Sequence, residues 1–387
     1  MIRRLLLVAL PLSFLAACAV SPEESGGDED LGTVESELTG MTSAVTGERA
    51  VVATTGRTNP KLAPIGVKTD VRTIDPGCES GRDDDGDGLD DGCEARLLHD
   101  RAPLLYMPFA YDWIRPASVD WYLARTALRF HHDNCGDEQI AAKGTLTQAN
   151  LVSFRHATKQ GFWSGCDHTS TYISSATGPW NDDQHFFLQP SDSVHAGSSN
   201  PADWKVYGHA YPNRIGGINL QYWFFYPYND NGGPINHESD WESVIVRLHP
   251  DRSVHGVYFC QHGHCDNFRS AAQLTWLGSH PTGWVADGSH ATYPTVNECN
   301  DAPFTAEATG PNCSTNDAYR WFTWAGGKGT QAGYQGAGVV NVGEKTRPLA
   351  DQHFIDYGGT WWEQGSTETT SGKRTPSFQD DWDFDRL

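Results

Sequence analysis

Four runs of aromatic and β-branched residues crowd the middle of the chain: INLQYWFFYPYND (218–230), NHESDWESVIVRL (236–248), VHGVYFCQHGHC (254–265) and WVADGSHATYP (284–294). Each reads as a strand followed by polar, turn-forming residues. From Ile218 to Tyr226 the polar/apolar alternation of a half-exposed strand is weak, and the aromatics imply burial on both faces. Forty glycines and fourteen tryptophans, with few long helical periodicities, point the same way. The expected fold class is mainly β, a large antiparallel β-sandwich over residues 96–387, and no internal repeat is evident.

The second run poses a question. Read as a strand, it puts Asp240 and Glu242 on the face that carries Val244, Val246 and Leu248, while Trp241, Ser243 and Ile245 take the other. A buried carboxylate is costly unless it is paired, hydrogen-bonded or bound to a cation. Backbone amides, an arginine such as Arg247, or a metal ion are all partners the sequence allows.

The first residues bear on compartment. Arg3 and Arg4 precede an apolar stretch, Leu5–Leu15, too short to span a bilayer and shaped like a secretory signal. It ends in Leu15-Ala16-Ala17-Cys18, which resembles a bacterial lipobox; an ordinary signal peptide with a chance cysteine is the alternative. Residues 1–17 are then signal, and Cys18 is diacylated as the new N-terminus. Ala19, rather than an aspartate, follows it, as in lipoproteins passed to a Gram-negative outer membrane. No later segment is apolar enough to cross a bilayer, so the expected anchor is lipid, with the membrane as partner through Cys18.

Eight further cysteines, Cys78, Cys93, Cys135, Cys166, Cys260, Cys265, Cys299 and Cys313, suit disulfides in an exported protein. Nearest-neighbour pairing (78–93, 135–166, 260–265, 299–313) is the expectation among many connectivities. Formal charge is −21, and −23 without Arg3 and Arg4, which argues against nucleic acid as a partner and suits a collector of cations. Residues 18–76 are first acidic and then rich in Thr, Val and Pro, and read as a disordered tether.

Residues 77–95 hold the sharpest short motif, DDDGDGLDDGCE at 83–94. Numbered as an EF-hand loop, it offers Asp83, Asp85 and Asp87 at positions 1, 3 and 5, with Gly88 at the sharp turn. The carbonyl of Leu89 stands at 7, Asp91 at 9 and Glu94 at 12, a set of hard oxygens that suits Ca²⁺. Position 8, apolar in paired hands, is Asp90, and no helix is evident before the loop. A lone calcium loop beside a disulfide is expected in a structural role; a solvated acidic linker is the alternative.

Searches for GxSxG, Walker, HExxH and dinucleotide motifs find nothing. Instead, APLLYMPFAYDWIRPASVDWYL (102–123) resembles the opening of the vacuolar protein sorting-associated protein 62 family. That resemblance continues in order through WKVYGHAY (204–211), YWFFYPYN (222–229), SDWESVIV (239–246), VYFCQHG (257–263) and DGSHATYP (287–294). A more distant resemblance is to the necrosis- and ethylene-inducing cytolysins, β-sandwich toxins with a Gly-His-Arg-His-Asp-Trp-Glu motif. In that family the motif helps to hold a divalent cation at one pole and contributes to binding membrane glycolipid. By position, His237, Asp240 and Glu242 match its first His, its Asp and its Glu, whereas Glu238 replaces Arg and Ser239 the second His. Asp230 falls near a further acidic ligand.

The resemblance implies a second divalent cation, Ca²⁺, Mg²⁺, Mn²⁺ or Zn²⁺, at His237, Asp240, Glu242 and Asp230. His262, His264 and His290 follow strand ends and are expected to converge on one rim, with His262 and His290 as candidate acid/base residues; each could equally cap a strand. Two functions follow. One is a surface module that binds glycan or glycolipid through a metal-bearing pole; the other is a secreted metal-dependent hydrolase. Exposed loop aromatics would favour the first, and a cleft beside an open histidine the second.

Overall fold

The computed structural model describes residues 81–387 apart from 109–111, 133–135, 157–170, 173–184, 231–235, 262, 302–312, 314–319, 327–332 and 363–372. All of them fall in one compact unit, Thr69–Leu387. The signal, Cys18, the whole tether, Cys78, Cys135, Cys166 and His262 therefore lie outside the described residues.

Three of the four central runs lie in one six-stranded sheet, and the fourth, 284–294, joins a second sheet. The order of the first is His264–Ser270, Val254–Gln261, His237–Leu248, Ile218–Asn229, Lys205–Pro212 and Gly338–Asn341. Neighbours pair antiparallel until the last strand, which lies parallel to Lys205–Pro212. A mixed sheet joins Trp276–Leu277, His280–Val285, Leu104–Tyr106, Arg320–Gly326 and Tyr334–Gly336, with Thr292–Tyr293 paired to His280–Val285. A smaller antiparallel sheet is built from Glu138–Ala141, Thr126–Phe130 and Phe186–Pro190. The fold is mainly β, as the sequence indicates.

The central sheet is buried on both faces, and the alternation of its strands explains how. Leu220, Tyr222, Phe224 and Tyr226, with Val244, Val246 and Leu248, pack with Leu105, Val285 and Trp321 of the mixed sheet. The opposite side chains, Trp223, Phe225 and Trp241, pack with Phe130, Phe186 and Leu188 of the smaller sheet and with Phe354 and Trp361. The sandwich thus has a layer on each side of its long strands. Fully burying each such aromatic contributes roughly 1.5–3 kcal/mol of transfer free energy.

Helix Asp91–Arg101 enters the first of these cores through Leu98. Acidic Asp91 and Glu94 stand in its first turn and His99 and Arg101 in its last, matching the helix dipole. The close approach depends on Gly208, where a Cβ would meet Leu98 at 2.8 Å. Cys260 is bonded to Cys265 and Cys299 to Cys313, the nearest-neighbour pairs. Cys93 is also disulfide-bonded. Among the described residues no helix is long and apolar enough to cross a membrane.

Candidate functional site

The 83–94 segment wraps its own backbone around acidic side chains. Asp83 accepts hydrogen bonds from the amides of Gly86 (2.6 Å) and Gly88 (3.1 Å), and Asp87 from that of Leu89 (2.7 Å). Asp91 accepts from the amide of Asp84 at 3.1 Å. Gly86 and Gly88 stand at φ +81° and +94°, conformations that glycine adopts without a Cβ penalty. Two overlapping donor sets result, Asp83 with Asp85 and Asp91, and Asp85 with Asp87 and Glu94, each with oxygens within 4.8 Å of one another.

These carboxylates are short of protein donors. Asp85 and Glu94 are only 3% and 1% exposed, yet Asp85 Oδ2, Asp87 Oδ2 and Glu94 Oε1 are buried without a hydrogen-bond partner. Without a cation, burial and then mutual repulsion push Asp85 up to about 7 and Glu94 up to about 10. Burial raises Asp87 as well. A buried anion cluster of this kind is strongly disfavoured on its own, and an oxygen-only set is what a hard dication such as Ca²⁺ selects. The residues present therefore fit the ion.

Two residues complete the loop. Asp90, the exception at position 8, caps the following helix: its Oδ1 accepts from the amide of Cys93 at 2.8 Å. Asn341 donates from Nδ2 to Glu94 Oε2 at 2.7 Å, which leaves Oε1 as the oxygen without a protein donor. Sequence reading missed Asn341, which lies 247 residues away on the last strand of the central sheet. Leu89 buries its side chain in the core.

The Asp240 pole is built differently. Asp240 stands opposite Tyr226 in the central sheet and accepts from Asn229 Nδ2 at 3.2 Å. His290 Nδ1 lies 3.0 Å from Asp240 Oδ2, and His290 Nε2 lies 3.3 Å from Asp112 Oδ2. Tyr226 stacks on the imidazole, with ring centres 4.0 Å apart and planes 6° apart. All five residues are buried. Burial alone would favour a neutral ring, but Asp112 and Asp240 outweigh it and raise His290 to about 9. Burial likewise opposes ionisation of Asp240, yet the hydrogen bond and charge of His290 bring it below its ordinary range. Burial, then the charge of Asp240, raises Glu242 well above its own, favouring its protonated form.

His290 answers the question posed by the second run. The imidazolium supplies the positive charge that Asp240 needs, from a loop where His290 takes a left-handed φ of +56°. Arg247 is directed instead to Asp385 and the hydroxyl of Tyr258.

Other expected site residues are dispersed. His237 Nε2 is 3.9 Å from Asp240 Oδ1, a long contact. Asp230 accepts from Trp113 Nε1 (3.2 Å) and Asn236 Nδ2 (2.7 Å). Among the described residues, the groups of three or more donors within 4.8 Å include none of Asp230, His237, Asp240 and Glu242. His264 is exposed and His290 buried. Asp112, Asn229 and Trp113 were not singled out by sequence. Trp113 is 49% exposed and lies 6.1 Å from the ring of Tyr228, which in turn stacks on His195 at 4.3 Å.

No family model matches the sequence, and neither does any curated protein. Similar solved structures include the necrosis and ethylene inducing protein 2 from the causal agent of cocoa's witches' broom disease. It is 17% identical with a TM-score of 0.26, over 51% of this chain and 67% of that one. The non-toxic HaNLP3 protein is 13% identical with a TM-score of 0.26, over 54% and 81%. A third, described as a toxin fold as basis for microbial attack and plant defense, is 11% identical with a TM-score of 0.24, over 49% and 69%. Overlaps this shallow carry no argument about site or activity.

Proposed function

We propose that this chain is a calcium-loaded binding module of the cell envelope, anchored by lipid on Cys18 and recognising glycan or lipid headgroups through its β-sandwich. The observation that carries the reading is the convergence of Asp85, Asp87 and Glu94, buried together with oxygens that no protein group satisfies. Ca²⁺ held by Asp83, Asp85, Asp87, Asp91, Glu94 and the carbonyl of Leu89 would neutralise them and fix the start of the domain against the edge strand Gly338–Asn341.

Binding is favoured over hydrolysis by the Asp240 pole. His290 is buried between two carboxylates, so a substrate has no access to it as an acid or base. Beside this pole the exposed Trp113, with Tyr228 and the acceptor Asp230, offers the flat apolar face and polar edge that sugar rings use.

Calorimetry on the Asp83→Ala/Glu94→Ala chain tests the calcium reading: the wild-type Ca²⁺ event should disappear, and an unchanged stoichiometry would refute it. A glycan and lipid-vesicle array comparing wild type with Trp113→Ala tests recognition. Hits shared equally by both proteins would remove Trp113 from the binding face.

A further inference from the structure

A second donor set, unlike the loop, lies at the smaller sheet. His132 follows strand Thr126–Phe130, Glu138 opens Glu138–Ala141, and His156 ends Arg155–His156. His132 Nε2 stands 3.6 Å from Glu138 Oε2, and His156 Nε2 stands 3.5 Å from that same oxygen. The three donor atoms lie within 4.8 Å of one another. Phe130 orients both rings, stacking on His156 (3.9 Å, 7°) and meeting His132 at 65° (5.1 Å). Both histidines are buried, whereas the Glu138 side chain keeps 23% of its surface in water.

The spacing is informative. These contacts exceed the roughly 2.7–3.2 Å of a charge-bearing N–H···O bond. They lie close to the edge of a tetrahedron around zinc: bonds of about 2.0–2.1 Å place neighbouring donors about 3.3–3.4 Å apart. Other clusters among the described residues lack this signature. His209 Nε2 makes a 2.9 Å hydrogen bond to Glu344, and Arg386 already bridges Glu344 and Asp383. Cys260 and Cys265, beside Asp381, are closed by their disulfide.

We propose that His132 Nε2, His156 Nε2 and Glu138 Oε2 form a site for Zn²⁺ or another late first-row divalent ion. Two imidazoles with one carboxylate suit such ions and not Ca²⁺, so this site and the 83–94 loop divide the metals by ligand chemistry. Glu138 provides the solvent-facing side.

The test uses the full chain with the calcium loop saturated. Zn²⁺ is titrated by calorimetry, and Co²⁺ by the visible absorption of its tetrahedral complex. Outer-shell partners are worth about 10–100-fold in metal affinity, so Glu138→Gln and His132→Ala should each weaken Zn²⁺ binding by more than about 100-fold and abolish the Co²⁺ band. Asp83→Ala should leave both signals intact. Glu138→Gln is partly exposed and decides the matter alone if His132→Ala fails to fold, with equal melting in chelator as the folding control. Zn²⁺ affinity in Glu138→Gln within about twofold of wild type would overturn the proposal.

Discussion

The 83–94 loop and the Asp240 pole both bury acidic side chains, but they differ in where the countercharge comes from. The pole carries its own: His290 lies between Asp112 and Asp240, and Tyr226 covers the ring. In the loop, among the described residues, Arg347 reaches only the backbone carbonyl of Asp85, and Asp85, Asp87 and Glu94 each retain a buried carboxylate oxygen without a donor. Two acid-rich segments that look alike in a sequence therefore make opposite demands on the medium. The stability of one should follow calcium, and that of the other should follow pH.

The largest effect is expected at the pole. Removing one partner of a buried ion pair costs on the order of 3–5 kcal/mol, so Asp240→Ala should show that loss in denaturant titrations with Ca²⁺ present or absent. Asp240→Asn should lose less, because the shape is kept and a side-chain oxygen still accepts from Asn229 Nδ2. A chain that also lost one equivalent of bound metal would restore the cation reading of His237, Asp240 and Glu242 and break the comparison.

Calcium removal comes next. At free Ca²⁺ about a hundredfold above Kd, binding adds about 2.7 kcal/mol, and chelation should lower the melting temperature accordingly. Asp240→Asn should show the same chelator response as wild type, whereas Asp83→Ala/Glu94→Ala should show none. A wild-type melting temperature indifferent to chelator would place the loop among solvated acidic linkers.

The pH response has a definite sign. The folded pKa of His290 is raised to about 9 from an ordinary 6.5. Its contribution is therefore fully present below about 6.5 and fades as pH rises through about 9. In saturating Ca²⁺, thermal stability should decline across that window, and His290→Gln should flatten the decline. An unaltered slope in the variant would assign the titration elsewhere. Smallest of all, Trp113→Ala should change stability by no more than about 0.5 kcal/mol while removing glycan or lipid hits.

What could be read in advance follows chain distance. The proposed calcium ligands fall within twelve consecutive residues, so their spacing alone defines the set. The long strands announce themselves by aromatic runs, and Cys260–Cys265 and Cys299–Cys313 join near neighbours. Asp240 and His290 lie 50 residues apart, and no local pattern marks them as partners. Motif position points to convergence of Asp230, His237 and Glu242, but Asp230 accepts instead from Trp113 and Asn236. The smaller sheet was not singled out either: its strands are four or five residues long, too short for alternation to stand out.

The bond from Asn341 to Glu94 has a consequence for the order of assembly. A polypeptide is made from its N-terminus, so the loop emerges early, while the residue that seats its last carboxylate follows 247 positions later. Closing so long a loop is entropically slow. The clasp is thus a late step, shut only when the strand Gly338–Asn341 docks beside Lys205–Pro212. A chain halted before residue 341 would carry every acidic ligand and still lack the contact that turns Glu94 toward them.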